Sequence, residues 1–139
     1  MDRGIESEHF KYEELRCHCG CGVNACTQGL VDALELIRSL SGNRPVQVDC
    51  AYRCPLHNAS LPNAVQHSQH ELGTAADIVV KDLTPAQMEA VAVSVPAIKG
   101  LGRADHQGYI HVDVRETEAR WCYDANGYEV PYYSAPVVS

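Results

Sequence analysis

The pattern of apolar and polar positions predicts two helices. In the first, apolar side chains recur at helical spacing after Thr27, at Leu30, Val31, Leu34, Ile37 and Leu40. Thr27 suits an N-cap and Gly42 a stop, so we expect the helix to lie between them. The second begins at Thr84-Pro85, because a cap followed by proline favours a first helical turn, and it extends to about Val93.

Strand patterns account for much of the remaining chain. Four segments have them: residues 45–50, 75–80, 99–103 and 108–115. In the last, Tyr109, His111 and Asp113 alternate with apolar residues and therefore share one strand face. Residues 105–107 are expected to join a hairpin, and residues 55–69 to form a mostly polar loop. Few helices and sequential strands predict an α+β fold, a small antiparallel sheet with helices packed to one side.

Length and charge limit the classes of function. A chain of 139 residues is long enough for one domain with a real core. We expect that domain to fill residues 1–139, with residues 1–7 and about 124–139 peripheral; the latter are either a strap across the domain or a disordered end. The net charge of −7 and the lack of basic runs argue against nucleic-acid or anionic-membrane partners. No apolar run could span a bilayer, and residues 1–6 lack the basic and apolar regions of a signal peptide.

The seven cysteines leave three interpretations open. Four lie within ten residues, at positions 17, 19, 21 and 26, and two more flank Tyr52-Arg53, at positions 50 and 54. Reduced thiols are the favoured interpretation. The Cys-x-Cys-x-Cys spacing is tighter than that of usual zinc knuckles, which weakens the case for a second, structural metal. Disulfides from this loop to Cys50 or Cys54 require a function outside the cytoplasm, and an odd total leaves one thiol unpaired unless chains are bridged.

Two short stretches contain the candidate chemistry. In the first, residues 67–77, His70 and Asp77 are seven residues apart, with Gly73 to permit a turn between them. The second is the strand that presents His111 and Asp113 on one face. Two imidazoles and a carboxylate are a donor set with which proteins hold Zn²⁺ while a fourth position stays open for water.

The two stretches together form a joint pattern. It consists of Ser-x-His-x-x-Gly-x-Ala-x-Asp at residues 68–77, followed by aromatic-x-His-x-Asp at residues 109–113. This pattern resembles the zinc peptidases that cut cell-wall peptides at D-amino acids, a superfamily of D-Ala-D-Ala carboxypeptidases and dipeptidases, murein endopeptidases and the Hedgehog signalling domain. Residues 51–58 and Arg120-Trp121 also resemble these domains, so the similarity covers roughly residues 8–122.

The resemblance implies an enzyme that binds Zn²⁺ through His70, Asp77 and His111. It implies hydrolysis of peptide bonds in peptidoglycan stem peptides or cross-links, by an endopeptidase or a D,D-carboxypeptidase. We expect a monomer made in the cytoplasm that reaches the cell wall after release, as a phage or prophage lysin does. The alternative is a zinc-containing cell-wall-binding domain without turnover, because Gly108 stands where some relatives have a glutamate.

The resemblance also suggests roles for the neighbouring residues. Asp113 is the candidate for the general base or for an orienter of His111, since neither Gly108 nor Tyr109 suits the task. Arg53 is the candidate for holding a substrate carboxylate or a developing oxyanion with its planar fork. Ser68 and Tyr109 are candidates for substrate contacts. Competing candidates for the base are His67, Glu71, Asp105 and His106.

Overall fold

The computed structural model describes residues 6–61 and 68–132. The helices of these segments are α1 Tyr12–Leu15, α2 Gln28–Leu40, α3 Pro55–Ser60 and α4 Pro85–Ala92. The strands are β1 Val46–Cys50, β2 Ala75–Val80, β3 Gly100–Ala104, β4 Tyr109–Asp113, β5 Ala119–Tyr123 and β6 Glu129–Pro131. None of the helices in these segments is long and apolar enough to cross a membrane.

The strands form one sheet in the order β1-β2-β4-β3-β5-β6, and the predicted α+β class is confirmed. All neighbours are antiparallel except β3 and β5, so the sheet is mixed. The parallel pair follows from the topology. Because β4 lies between β2 and β3, one edge of β3 remains free, and β5 pairs with it. Asp113 and Ala119 both pair with Gly100, so β5 starts at the same end as β3.

The two predicted helices are confirmed as α2 and α4. The Thr27 hydroxyl accepts a hydrogen bond from the Leu30 amide at 3.3 Å, and Gly42, with φ of +80°, follows the helix. Burial of each large apolar side chain in α2 contributes about 1.5–3 kcal/mol to stability. Helix α4 has Thr84 as N-cap, Pro85 in its first turn and a reciprocal capping box between Thr84 and Gln87.

The two faces of the sheet differ in their function. Helices α2 and α4 pack on one face, where apolar side chains of β2, β3 and β4 form the core with them. The other face presents the alternate positions of the same strands, including Asp77, His111 and Asp113. The strand alternation predicted from the sequence therefore places these polar side chains on the face opposite α2 and α4.

The prediction of a loop over residues 55–69 was wrong at its start. Pro55 follows Cys54 at the first position of α3, where its fixed φ favours a helical turn. Residues 62–67 lie outside the described segments. In the tail, residues 129–131 form β6 on the edge of the sheet, whereas residues 133–139 lie outside the described segments.

Candidate metal centre

Neighbouring strands bring the candidate residues into one row across the sheet. Asp77 in β2 is directly opposite His111 in β4, and His111 is opposite Gly102 in β3. Gly102 is in turn opposite Trp121 in β5. Because directly opposed side chains project from the same face of a sheet, Asp77, His111 and Trp121 share that face. The row is the framework of the site.

One nitrogen of His70 and one of His111 both lie close to the same carboxylate oxygen of Asp77. Asp77 Oδ1 lies 3.3 Å from His70 Nε2 and 3.1 Å from His111 Nδ1. A tetrahedral Zn²⁺ with bonds of about 2.0–2.1 Å places its ligand atoms about 3.3–3.4 Å apart. Both imidazoles are buried, and their ring centroids are 5.1 Å apart. The two distances to Asp77 match this spacing, so His70, Asp77 and His111 are a candidate donor set for a zinc ion.

His70 is oriented by the backbone around it. Its Nδ1 lies 2.6 Å from the Ala51 carbonyl oxygen, which can only accept a hydrogen bond. Nδ1 therefore donates to that carbonyl, which leaves Nε2 as the nitrogen that faces Asp77. The His70 carbonyl accepts from the Arg53 amide at 3.1 Å, and the His70 amide donates to the Ser68 hydroxyl at 3.1 Å. Residues 51–53 and Ser68 together fix the position of this ring.

His111 is oriented by a buried carboxylate. Its Nε2 lies 2.7 Å from Asp113 Oδ2, so Nδ1 faces Asp77. The Arg115 guanidinium donates to both oxygens of Asp113, at 2.8 and 2.7 Å. Burial alone would raise the pKa of Asp113, but the hydrogen bonds from Arg115 and His111 hold it far below the ordinary value. A fully engaged, weakly basic carboxylate favours the orienting role over that of general base.

The same contacts govern protonation of the two rings. Burial lowers the pKa of His70, but the charge of Asp77 outweighs it and raises the value to about 9. For His111, burial is outweighed by the hydrogen bonds to Asp113 and Asp77, and its pKa also rises to about 9. At neutral pH a metal ion must therefore displace protons from these rings.

Two glycines permit close approaches that hold the site together. Gly73 has φ of +74°, and a Cβ there would lie 1.9 Å from the Ala25 carbonyl oxygen. Glycine is therefore required at position 73 both for the backbone turn, as the sequence suggested, and for the close contact with Ala25. At Gly102, a Cβ would lie 2.5 Å from Nε1 of Trp121. The indole thus occupies the space of the missing side chain, with its centroid 5.1 Å from that of His111.

A cavity of about 300 Å³ opens beside His111. Its walls combine polar and aromatic side chains: Ser68, Gln69, His111, Arg115, Ala119, Trp121 and Glu129. The indole Nε1 of Trp121 is buried there and has no hydrogen-bond partner among the described residues. Glu129 was not recognised in the sequence as a site residue. It reaches the cavity because β6 pairs with β5, with Glu129 opposite Tyr123.

Arg53 and Tyr109 lie near the same centre. Arg53 donates to the Ser68 hydroxyl at 3.3 Å, while its buried Nε has no partner in the described chain. Tyr109 is half-buried and packs against Tyr123, with ring centroids 5.7 Å apart. Burial and the charge of Asp77 raise the pKa of Tyr109, so its hydroxyl stays protonated. Both side chains retain polar groups that a substrate can use.

The competing candidates for the base have other surroundings. Asp105 pairs with Arg103 at 2.8 Å, and Arg103 also contacts Glu89 of α4, on the helix side of the sheet. His106 is exposed in the hairpin turn. Glu71 accepts hydrogen bonds from the Ser68 amide at 3.1 Å and from the Asn58 side chain at 3.0 Å. His67 lies outside the described residues.

Cys50 is a further neighbour that the sequence analysis did not place at this site. Its sulfur, one His70 nitrogen and an Asp77 oxygen all lie within 4.8 Å of one another. A register shift between Val48 and Cys50 brings Cys50 opposite Asp77, and such a bulge cannot be seen in spacing alone. The sulfur is 3.9 Å from Nδ1 of His70, the nitrogen already engaged by the Ala51 carbonyl. Cys50, His70 and Asp77 therefore form a second candidate donor set, which competes with the set that contains His111.

Comparison with known families connects this geometry with a class of enzyme. A family model described as Peptidase M15 matches residues 8–113, a range that includes both motifs. The chain belongs to the peptidase M15 family. No curated protein matches the chain. Membership confirms the predicted resemblance and supports a peptidase with a peptide substrate. M15 peptidases are also metal-dependent.

Proposed function

We propose that this M15 domain is a zinc peptidase that hydrolyses peptide bonds in peptidoglycan stem peptides or cross-links. One observation supports the proposal most strongly. Two imidazole nitrogens lie 3.3 and 3.1 Å from a single oxygen of Asp77, beside an open cavity. The motif pattern at residues 68–77 and 109–113, which resembles the cell-wall peptidases, suggests the substrate class.

In this proposal His70, Asp77 and His111 hold the zinc ion. When bound, zinc polarises the scissile carbonyl and lowers the pKa of a coordinated water to about 7. The protein supplies the orientation. The Ala51 carbonyl holds the His70 ring at 2.6 Å, and Asp113 holds the His111 ring at 2.7 Å. Asp113 is therefore a positioning residue that keeps Nδ1 of His111 directed at the metal.

Substrate binding is assigned to the side chains with unused donors. Arg53 holds a terminal carboxylate or the developing oxyanion, because its Nε has no partner among the described residues. Ser68 supports Arg53 at 3.3 Å, and the indole of Trp121 forms part of the cavity wall. Tyr109 adds a protonated hydroxyl. A cavity of about 300 Å³ suits small side chains such as alanine.

Glu129 is the residue to which we assign proton transfer. It is the exposed carboxylate among the cavity-lining residues, and its charge acts on the neighbouring Arg115. Asp113, by contrast, has both oxygens engaged by Arg115 and His111. A base must remain available to accept a proton from water, which favours Glu129. Glu129→Gln should keep the metal and lower the turnover rate about 10²–10⁴-fold.

Digestion of purified stem peptides, with products identified by mass, tests the proposal. We expect cleavage that a chelator abolishes and added zinc restores. His111→Ala should lose both the metal and the activity, whereas Cys50→Ser, which removes the competing sulfur donor, should retain both. Binding of the stem peptides without any cleavage in the presence of zinc would instead support the alternative of a cell-wall-binding domain.

A further inference from the structure

Four cysteine sulfurs meet in a cluster away from the His70 donor set. Cys17 Sγ lies 3.4 Å from Cys19 Sγ and 3.7 Å from Cys54 Sγ. Cys19 and Cys54 are 3.6 Å apart, and the Cys21 sulfur lies within 4.8 Å of all three. We refer to Cys17, Cys19, Cys21 and Cys54 as the thiol cluster. Its members come from two segments separated by 32 residues or more in the chain.

The spacing distinguishes the three interpretations that the sequence left open. A disulfide requires about 2.05 Å between two sulfurs, and it joins sulfurs in pairs. Here one sulfur is nearly equidistant from two others. A tetrahedral zinc ion with bonds of about 2.3 Å to four thiolates separates the sulfurs by about 3.7–3.8 Å. We propose that the thiol cluster binds one structural Zn²⁺, at a site separate from that of the proposed peptidase metal.

The local backbone explains how so tight a spacing can supply three ligands. Gly20 has φ of +97° and Gly22 has φ of +74°, so the chain reverses its direction around Cys21. The Cys17 amide donates to the Val23 carbonyl at 2.8 Å and closes this loop. Alternate cysteines therefore point inward together, although Cys-x-Cys-x-Cys is unusual for a zinc knuckle.

The surroundings of the thiol cluster also suit thiolates. The Cys54 amide donates to Cys17 Sγ at 3.4 Å, and Nδ1 of His57 lies 3.2 Å from the same sulfur. Hydrogen bonds from N–H groups stabilise a metal-bound thiolate and orient it. Within the described segments, no Lys or Arg side chain is hydrogen-bonded to these sulfurs, so the charge of several thiolates would need a metal ion to balance it.

The position of the thiol cluster gives the ion a structural role. Cys54 directly follows the segment 51–53, whose Ala51 carbonyl holds the His70 ring and whose Arg53 amide donates to the His70 carbonyl. On the other side, the Tyr52 amide donates to the Leu15 carbonyl at 3.1 Å. An ion joining Cys54 to the loop at 17–21 would thus fix this segment against the N-terminal part of the domain.

Cobalt substitution can test the site without reference to activity. Co²⁺ bound by four thiolates gives an intense near-ultraviolet charge-transfer band, whereas a site of two imidazoles and a carboxylate does not. We expect wild-type protein to bind two metal ions and to show the band. Cys19→Ser should lose one ion and most of the band; His111→Ala should lose one ion and keep the band. Cys122→Ala, a buried cysteine of β5, is the control that should change neither.

A second measurement uses the wild-type chain alone, in case a cysteine variant fails to fold. Cys19 and Cys21 are exposed and should react quickly with an alkylating reagent in metal-free, reduced protein. We expect zinc to slow both reactions at least tenfold, as read from modified peptides by mass. Equal rates with and without zinc would overturn the proposal, as would a cluster isolated as disulfides. Neither result would bear on the proposed peptidase site, which the His111→Ala variant tests separately.

Discussion

Replacement of Asp113 by asparagine tests the role that the structure suggests for this residue. The substitution keeps the shape of the side chain but removes its charge and one acceptor oxygen. Asp113 is fully buried and accepts from Arg115 through both oxygens while one of them also faces His111 Nε2 at 2.7 Å. The amide cannot satisfy all these donors, so either Arg115 or His111 loses a partner.

The expected magnitude follows from these contacts. Breaking a fully buried ion pair costs about 3–5 kcal/mol, and the loss should be smaller here because the asparagine oxygen still accepts and Arg115 is partly exposed. The effect on the metal is more specific. Loss of a carboxylate that orients a histidine ligand typically lowers metal affinity or activity about 10–100-fold. We expect that range for zinc affinity.

The assay is a zinc titration against a competing chelator, combined with activity at saturating zinc. The matched control is Asp105→Asn. Asp105 pairs with Arg103, two residues away in the chain, as Asp113 pairs with Arg115. Asp105 pairs with Arg103 at 2.8 Å, and this pair contacts Glu89 on the helix side of the sheet. The control should lose stability without any loss of zinc affinity.

Two results would refute this reasoning. If Asp113→Asn kept its zinc affinity and lowered the turnover rate about 10²–10⁴-fold, Asp113 would be the general base. If it kept both affinity and activity, the contact with His111 would have no function. A weakened affinity with activity restored by excess zinc is the outcome that the geometry predicts.

Three further predictions concern binding, packing and pH. Arg53→Lys should lower kcat/KM about 10–100-fold, because an ammonium cannot reproduce the planar fork; equal activity would return Arg53 to an ordinary surface charge. Gly102→Ala should displace the indole of Trp121, the sole tryptophan, and so change the tryptophan fluorescence and lower the activity while zinc is retained. Gly29→Ala, where a Cβ meets open space, is the control, and unchanged fluorescence in Gly102→Ala would refute the packing argument. The pKa values of the two proposed histidine ligands are raised to about 9, above the usual 6.5, so zinc has to compete with protons for both rings. The zinc affinity should therefore fall at least about tenfold per pH unit from about pH 8 to pH 6, and a constant affinity would contradict this argument.

The elements with strong local patterns could be predicted from the sequence. Helix α2 follows from its apolar spacing between Thr27 and Gly42, and the β3–β4 hairpin from two strand patterns around a short turn. The alternation in β4 also placed His111 and Asp113 on one face. Each of these features depends on residues close together in the chain, where spacing determines which side chains share a surface.

Other parts of the site depend on register between distant strands. Glu129 reaches the cavity only because β6 extends the sheet beyond β5, and Cys50 reaches Asp77 only through a bulge in β1. Neither event has a strong local pattern, since β6 is three residues long and the bulge leaves the composition of β1 unchanged. The cavity and its possible base were therefore missed, although the donor set was proposed.

The thiol cluster shows a different limit of sequence analysis. Its ligand spacing argued against a metal because typical zinc knuckles separate their cysteines by more residues. The left-handed conformations of Gly20 and Gly22 change the direction of the loop and bring alternate sulfurs together. Cys54 then joins from a segment far along the chain. Spacing rules assume an ordinary turn, and they fail where glycine permits another one.

Anomalous diffraction from zinc-loaded crystals, measured at the zinc absorption edge, tests the central claim most directly. We expect a peak bonded to His70 Nε2, Asp77 Oδ1 and His111 Nδ1, with bond lengths of about 2.0–2.2 Å and no fourth protein ligand. A peak coordinated by Cys50 in place of His111, or protein that cleaves stem peptides with no metal at this position, would contradict the account.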